Sequence, residues 1–328
     1  MTFKRAIVTA VGPLRILIDG DTVPIPFTPK SLIDPATLAV GDVVHANQSG
    51  HRLVVLGRAG GLGLVSGPNR LINSDFMVNQ EGRVSGDIIG NNAYVLDGWK
   101  NTSGTATGII TWADSGGVRT LTIGNSGNSR NITQHVEQSS VPAGSYTLSW
   151  EGNALGTVYN DGDSQPTSAD SPVTVALDGT ANALIRFYGK SATVRNVKLE
   201  LGTVATPYQP PAYDDNLRAC QRFYYNPLLG ITNADANIAQ GTADSTTNAR
   251  IIVPLAVPMR ATPTLITSGS FGLYNGTTTT VTYMVLSGWT TSAVPVLYVV
   301  ASGLTANRSY LFKRDNSASA KIAFDARL

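Results

Sequence analysis

Residues 196–225 read NVKLELGTVATPYQPPAYDDNLRACQRFYY, and this stretch decides how the chain is divided. Apolar and polar residues alternate over 197–201, which is typical of a β-strand with one buried face. A proline-rich exit at 207–211 then interrupts any regular element. Residues 213–222 carry acids in the first turn and arginines later, which favours a short helix. The stretch therefore predicts the end of one β-domain and the start of another.

The composition indicates folded β-domains. Of the 328 residues, 42% are hydrophobic, 33 are glycine and 17 are proline. This hydrophobic content is sufficient for folded cores, and frequent glycine and proline favour strands joined by turns. A chain of this length exceeds one ordinary core and suits two or three domains. We therefore expect an all-β protein with several domains.

The charge balance argues against two classes of partner. Charged residues make up 14% of the chain and the net charge is +2, which is too mild for binding to nucleic acid or an anionic membrane. No apolar run has the length needed to span a bilayer, so membrane insertion is not expected either. The one cysteine, Cys220, excludes a disulfide within the chain, and we expect it to be a buried structural thiol.

The first segment, residues 1–58, has the pattern of a small β-barrel. Apolar residues alternate over 14–18, the DGD sequence at 19–21 favours a tight turn, and 40–44 and 52–56 are typical of further strands. Short, bent strands in so small a unit indicate a closed barrel of the OB or SH3 type. The segment lacks the basic, aromatic groove that single-stranded nucleic acid needs.

A glycine-rich linker at 59–68 leads to the second segment, residues 69–211. Period-two alternation at 146–150 and 173–177 predicts strands, and turn clusters separate such strands at the spacing of a sandwich. We find no amphipathic helix pattern in this segment. We therefore expect a jelly-roll β-sandwich.

The third segment, residues 212–328, begins with the short helix and continues as a β-domain. Strands are predicted at 294–300 and 321–328 from their apolar alternation. A strand at 251–257 contains Pro254, which has no N–H for a sheet ladder, so we predict an edge strand there. The segment as a whole predicts a C-terminal β-sandwich.

Several motifs resemble those of bacteriophage tail proteins. The junction sequences LELGTVATPY and CQRFYY, the opening NRLINSDFMVNQ at 69–80 and LDGW at 96–99 resemble a jelly-roll module of tail-fibre and receptor-binding proteins. The DGD at 19–21 and VGDVV at 40–44 resemble the N-terminal attachment module of minor tail proteins. The resemblance is strongest over residues 69–225.

This resemblance implies a structural virion component and not an enzyme. It implies a carbohydrate-binding-like jelly roll, tail attachment through residues 1–58, and receptor binding by the β-domain at 212–328. The implied partners are phage tail or baseplate proteins, two further copies in a homotrimer, and a host-surface glycan or other receptor. The chain would be made in the host cytoplasm and reside in the virion tail; its first residues lack the sustained apolar region of a signal peptide.

The sequence shows no catalytic constellation. His45, His51 and His135 have no partner at metal-ligand spacing, and there is no nucleophile elbow. Asp161 and Asp163 lie in a long polar loop without the spacing of a calcium loop. We expect no catalytic, cofactor-binding or metal-binding residues. A capsule or cell-wall depolymerase is the enzymatic alternative, because paired hydrolytic carboxylates can be remote in sequence, and a cellular carbohydrate-binding adhesin is the other alternative.

Sugar recognition favours aromatic side chains, because the C–H face of a pyranose is apolar while its hydroxyls need polar partners. The candidate receptor-binding or glycan-binding residues are Trp289, Tyr274, Tyr283 and Tyr159. Trp289 and Tyr274 lie among Gly, Ser, Thr and Asn, as functional loop residues often do. Trp99, in the LDGW motif, is expected in the core.

Overall fold

A computed structural model describes residues 2–18, 20–32, 34–35, 38, 40, 43–49, 52–58, 67–103, 108–125 and 127–328. The chain forms two compact units, Met1–Gly67 and Pro68–Leu328. Within the described residues strands predominate and there is one α-helix, which confirms the all-β class. Of the predicted linker, 59–66 lie outside the described residues, as does His51. The segments predicted at 69–211 and 212–328 both fall in the second unit.

The first unit is a five-stranded sheet of order β2-β1-β4-β5-β3. Its strands are β1 Thr2–Val11, β2 Leu14–Ile18, β3 Lys30–Ser31, β4 Val43–Ser49 and β5 Arg52–Arg58. The alternation in β2 buries Leu14, Ile16 and Ile18, as its sequence predicts.

Two further backbone hydrogen bonds attach the chain around β3 to this sheet. The Ile25 N–H donates to the Ile16 carbonyl at 3.1 Å, and the Leu32 N–H donates to the Val55 carbonyl at 2.9 Å. The chain after β2 therefore folds back onto that strand, and the bond from Leu32 continues the parallel pairing of β3 with β5. The buried core residues are Ala6, Val8, Leu14, Ile16, Ile18, Leu38, Val44, Ala46, Leu53 and Val55.

Residues 68–211 form an antiparallel sandwich of two sheets. One sheet has the order β14-β12-β16-β10-β9-β6 and the other β13-β15-β11-β8-β7. The strands are β6 Ile88–Ile89, β7 Tyr94–Leu96, β8 Trp99–Asn101, β9 Gly108–Ser115, β10 Val118–Ile123, β11 Arg130–Val136, β12 Gly144–Glu151, β13 Leu155–Asn160, β14 Val173–Leu177, β15 Ala183–Gly189 and β16 Ala192–Leu201. This is the sandwich that the alternation predicted.

Aromatic rings fill the centre of this sandwich. Trp99 is fully buried, with its ring centroid 5.1 Å from that of Phe76 and 5.9 Å from that of Phe187. Trp150 meets Phe187 edge-on at 5.1 Å. The prediction that Trp99 is a core residue is confirmed.

Residues 212–328 add the helix α1 Tyr213–Gln221 and a second sandwich. Its sheets have the orders β17-β26-β20 and β22-β21-β25-β18-β19-β24-β23. The strands are β17 Tyr224–Tyr225, β18 Asn237–Ala243, β19 Asn248–Ile252, β20 Thr264–Ser268, β21 Phe271–Tyr274, β22 Thr278–Thr280, β23 Tyr283–Leu286, β24 Val296–Val300, β25 Ser309–Arg314 and β26 Lys321–Asp325.

The edge strand predicted around Pro254 is wrong. The strand β19 ends at Ile252 and lies inside the seven-stranded sheet, between β18 and β24. Pro254 follows the strand, where its missing N–H costs no ladder bond. The proline therefore terminates a central strand.

The LELGTVATPY motif contains a buried ion pair. Lys198 and Glu200 are each 1% exposed, and Lys198 Nζ lies 3.0 Å from Glu200 Oε2. The carboxylate also accepts hydrogen bonds from the Thr206 N–H at 2.7 Å and from its hydroxyl at 2.6 Å. The pair therefore fastens the chain that leaves the sandwich onto the outer face of β16.

The NRLINSDFMVNQ motif forms a buried hydrogen-bond cluster around Asn73. The Asn73 amide donates to the Val78 and Asp97 carbonyls at 2.8 and 2.9 Å and accepts from the Val78 N–H at 2.8 Å. The Asn73 carbonyl accepts from the Trp99 indole at 2.9 Å, and its N–H donates to Asn216 Oδ1 at 2.8 Å. This motif therefore ties the first sandwich to α1.

A second cluster joins the two sandwiches through Gln80. Its side-chain amide donates to Asp97 Oδ1 at 2.7 Å and to the Tyr224 carbonyl at 2.6 Å. The main-chain carbonyl of Gln80 accepts from the side-chain amide of Asn226. Burial raises the pKa of Asp97, although hydrogen bonds from Gln80 act against that rise. The opening motif and CQRFYY therefore meet at one junction.

Arg327 completes this junction. Its guanidinium carbon lies 3.7 Å from the centroid of the Tyr94 ring and 4.2 Å from that of Tyr224. The guanidinium pairs with Asp325 at 2.6 Å and also with Glu81. Burial raises the pKa of the Tyr94 hydroxyl to about 12. An arginine sandwiched between rings and paired with carboxylates holds the sandwiches together.

Candidate functional site

The four candidate aromatic residues do not form one cluster. Trp289 lies in the turn between β23 and β24, and Tyr283 begins β23, so these two share one hairpin. Tyr274 ends β21, at the other side of the seven-stranded sheet, and not in a loop as predicted. Tyr159 lies on β13 of the first sandwich. Trp289 and Tyr283 are the most exposed, at 69% and 56%.

Trp289 packs against an arginine that the sequence did not single out. The guanidinium carbon of Arg250 lies 4.5 Å from the centroid of the Trp289 ring and 4.9 Å from that of Tyr298. Arg250 and Tyr298 are direct partners on β19 and β24. The three side chains form a stack, which we call the Trp289 platform.

Hydrogen bonds fix the arginine of the platform. Its Nε donates to Asp244 Oδ2 at 2.8 Å, and a terminal nitrogen donates to the Ser287 hydroxyl at 2.7 Å. The same hydroxyl accepts from the Trp289 N–H at 3.3 Å. Because the guanidinium is held on both sides, the Trp289 ring rests on a support that needs no rearrangement when a ligand binds.

The turn that carries Trp289 is itself hydrogen-bonded. The Ser287 N–H donates to the Val296 carbonyl at 2.7 Å, and the Thr290 N–H donates to the Ser287 carbonyl at 2.9 Å. The Thr290 hydroxyl bonds to the main chain of Val296 at 3.0 and 3.1 Å. These bonds hold the indole at the rim of the sheet while most of its surface stays in water.

The platform combines an exposed aromatic face with polar groups. Its indole offers a flat apolar face for the C–H side of a pyranose, and it has hydrogen-bonding groups from Arg250, Asp244 and Ser287 nearby. Tryptophan is enriched among the few residues that carry most of the binding energy at interfaces. Sequence reasoning missed Arg250, because its contact with Trp289 depends on the pairing of distant strands.

The other two tyrosines have different surroundings. Tyr274 is 41% exposed, and its ring centroid lies 5.9 Å from the Lys313 ammonium, which pairs with Asp235 at 2.7 Å. Tyr159 is half-buried and lies opposite Leu184 in the outer row of its sheet. Tyr274 therefore shares a sheet with Trp289, whereas Tyr159 does not.

Cys220 and His135 are titratable residues outside the platform whose surroundings alter their pKa. Cys220 is buried and free, and burial raises the pKa of its thiol, which confirms a structural thiol. Burial and the nearby Lys100 lower the pKa of His135. The described residues contain no group of three or more His, Cys, Asp or Glu side chains placed to hold a metal. Among the same residues, no helix has the length and apolarity to cross a membrane.

Comparisons with known proteins give weak similarities. No protein-family model and no curated protein matches the sequence. The chain is similar to the CBM22-1–CBM22-2 tandem domain of Xyn10C from Paenibacillus barcinonensis, with 9% identity, 75% of this chain and 99% of that chain covered, and a TM-score of 0.22. It is also similar to discoidin II from Dictyostelium discoideum, with 11% identity, 76% and 92% coverage, and a TM-score of 0.17. At these scores the similarity carries no functional argument, and the fold assignment rests on the sheets themselves.

Proposed function

We propose that this chain is a structural virion component, a phage tail-fibre or minor tail protein that binds a host-surface glycan during adsorption. The observation that carries the glycan-binding part is the Trp289 platform, where a 69% exposed indole is supported by a fixed arginine. The virion part rests on the sequence resemblance of residues 69–225 and of the first segment.

The platform favours binding over hydrolysis. Glycoside hydrolysis generally needs two carboxylates that flank the scissile bond. The carboxylate found at the platform, Asp244, already pairs with Arg250 at 2.8 Å. We therefore propose that the protein is not an enzyme, and a capsule or cell-wall depolymerase remains the less favoured alternative.

Assembly follows from the same proposal. Residues 1–58 would attach the chain to phage tail or baseplate proteins, and three copies would pack through their β-domains. The product would reside in the virion tail after synthesis in the host cytoplasm. A cellular carbohydrate-binding adhesin would use the same platform, and immunodetection of the chain in purified virions separates the two readings.

A glycan array of the purified chain tests the binding proposal. We expect a restricted set of bacterial surface glycans to bind, and Trp289→Ala to weaken that binding. Tyr188→Ala is the matched control, because Tyr188 is a 40% exposed aromatic residue of the first sandwich. Equal binding by wild type and Trp289→Ala would show that the glycan site is not the Trp289 platform. If no glycan binds, a protein receptor is favoured.

A further inference from the structure

The Trp289 platform continues into a row of side chains across the seven-stranded sheet, in which Tyr274, Leu311, Gln240 and Ile252 are exposed and Val296 is buried. The row is defined by direct strand pairing: Tyr274 faces Leu311, Leu311 faces Gln240, Gln240 faces Ile252, and Ile252 faces Val296. It crosses five strands and thus spans roughly 19 Å, four steps of about 4.8 Å. Trp289 lies at one end of this row, and Tyr274 is its last residue at the other end.

A groove lies along the middle of the row. Its volume is about 670 Å³, and its lining includes Ile252, Leu311, Gln240, Thr242 and Ser309. Ile252 is 56% exposed and Leu311 is 36% exposed. A β-bulge near residues 237–239 interrupts the pairing of β18 with β25 at one end of the groove. The groove therefore offers aliphatic surface between two aromatic ends.

Polar side chains in the groove have spare hydrogen-bonding capacity. Thr242 lies opposite both Arg250 and Ser309, in the row next to Gln240. The side chains of Gln240, Thr242 and Ser309 make no hydrogen bond within the described chain. An amide and two hydroxyls that alternate with aliphatic side chains match a ligand with apolar C–H faces and hydroxyl edges.

Two cations beside the row already have carboxylate partners. Arg250 pairs with Asp244 at 2.8 Å, and Lys313 pairs with Asp235 at 2.7 Å. A polyanionic glycan would need unpaired cations along its path. The surface is therefore suited to a neutral ligand.

We propose that the ligand is an extended, neutral oligosaccharide that lies across the strands from the Trp289 platform, over Ile252 and Leu311, to Tyr274. This inference rests on the proposed glycan-binding function and specifies its substrate class. It requires that affinity depend on the number of sugar residues in the oligosaccharide, because a single sugar at Trp289 would leave the groove empty. A second copy of the chain is the competing occupant, since aliphatic grooves also suit protein interfaces.

Calorimetric titration with a size ladder tests this inference. The probe is a set of oligosaccharides of two, four and six sugar residues, prepared from the neutral polysaccharide that binds best on the array. We expect the affinity to rise at least tenfold between the shortest and longest members. Ile252→Ser and Tyr274→Ala should each remove most of that gain. Ile266→Ser is the matched control, because Ile266 is 42% exposed on the other sheet of the same sandwich.

The outcomes separate this inference from the proposed function. If affinity does not change with length and the groove variants bind like wild type, while Trp289→Ala still weakens binding, the extended site is wrong and the platform stands. Selective binding of only acidic polysaccharides would also overturn it. If Ile252→Ser lowers the particle mass in light scattering, a second copy covers the groove. If Trp289→Ala binds the glycan as well as wild type does, the proposed function itself is contradicted.

Discussion

At the scale of single residues, the buried ion pair of Lys198 and Glu200 should contribute to stability in a way that depends on pH. Burial tends to raise the pKa of Glu200, but hydrogen bonds from Thr206 and Lys198 outweigh it, and the net pKa is lowered. A carboxyl with a lowered folded-state pKa contributes stability above its unfolded pKa, about 4.3 for Glu. That contribution is lost as the pH falls through the folded-state pKa.

We therefore predict that Glu200→Gln destabilises the second unit at pH 7 by about 3 kcal/mol, because it leaves Lys198 buried without a counter-charge. The deficit relative to wild type should shrink as the pH is lowered below about 4.3. Urea unfolding across this pH range measures both effects. Glu151→Gln is the control, since its pair with Arg195 is exposed and worth about 1 kcal/mol or less. A deficit that is independent of pH would contradict the assignment.

Truncation of Trp99 should destabilise the protein strongly, whereas truncation of Trp289 should change its stability little. Trp99→Ala removes a ring from the centre of the core and should cost about 3–5 kcal/mol. Trp289→Ala removes an exposed ring whose main contact is Arg250, so the free energy of unfolding should change by about 1 kcal/mol or less. Thermal and urea unfolding check this. A large loss of stability in Trp289→Ala would show that the ring is structural.

At the scale of elements, alternation predicted strands well and strand order poorly. The apolar period of Leu14, Ile16 and Ile18 is local, and all three are buried as expected. The position of β19 in the centre of a sheet depends on its pairing with β24, about fifty residues later, so Pro254 was misinterpreted as an edge signal. For the same reason the sequence identified Trp289 but could not place Arg250 beneath it.

The motifs that carry the resemblance prove to be structural elements. Asn73, Gln80 and Glu200 are buried and hydrogen-bonded to main chain or to neighbouring side chains. They fasten the sandwich exit, α1 and β17 to one another. Motif positions therefore mark the junction, whereas the platform lies in a part of the sequence without a recognisable motif.

We predict that Arg327 is the strongest single link in this junction. Arg327→Ala removes the cation paired with Asp325 and the guanidinium that contacts the Tyr94 and Tyr224 rings, whereas Glu81 keeps its pair with Arg83 at 2.8 Å. It should cost about 3 kcal/mol and make unfolding of residues 68–328 less cooperative. Arg195→Ala is the exposed control and should have little effect. Denaturant unfolding monitored by hydrogen exchange measures both the loss of stability and the loss of cooperativity. A single transition, unchanged from wild type, would contradict the prediction.

At the scale of the whole molecule, the two compact units predict separable roles. Residues 68–328 contain both sandwiches and their shared junction, so this fragment should fold alone and unfold in one transition. It should also bind cells as the intact chain does, because the proposed attachment unit is not part of the platform. Calorimetry and a cell-binding assay test this. A folded fragment that no longer binds cells would show that residues 1–67 contribute to recognition.

The proposed homotrimer belongs to the same scale. The sequence has no coiled-coil heptads, so any trimer must use the β-domains. Light scattering of the pure protein should give about three times the chain mass of 34.5 kDa. A monodisperse monomer at micromolar concentration would contradict the proposal.

The most direct test of receptor binding by the Trp289 platform is a titration of the array-selected glycan against three proteins: wild type, Trp289→Phe and Trp289→Ala. If the aromatic face is the contact, Phe should retain much of the affinity. Ala should lose roughly 1–3 kcal/mol, a factor of about 5 to 150 in Kd, without a change in melting temperature. Unchanged affinity in Trp289→Ala, with the protein folded, would contradict the claim that this platform binds the receptor.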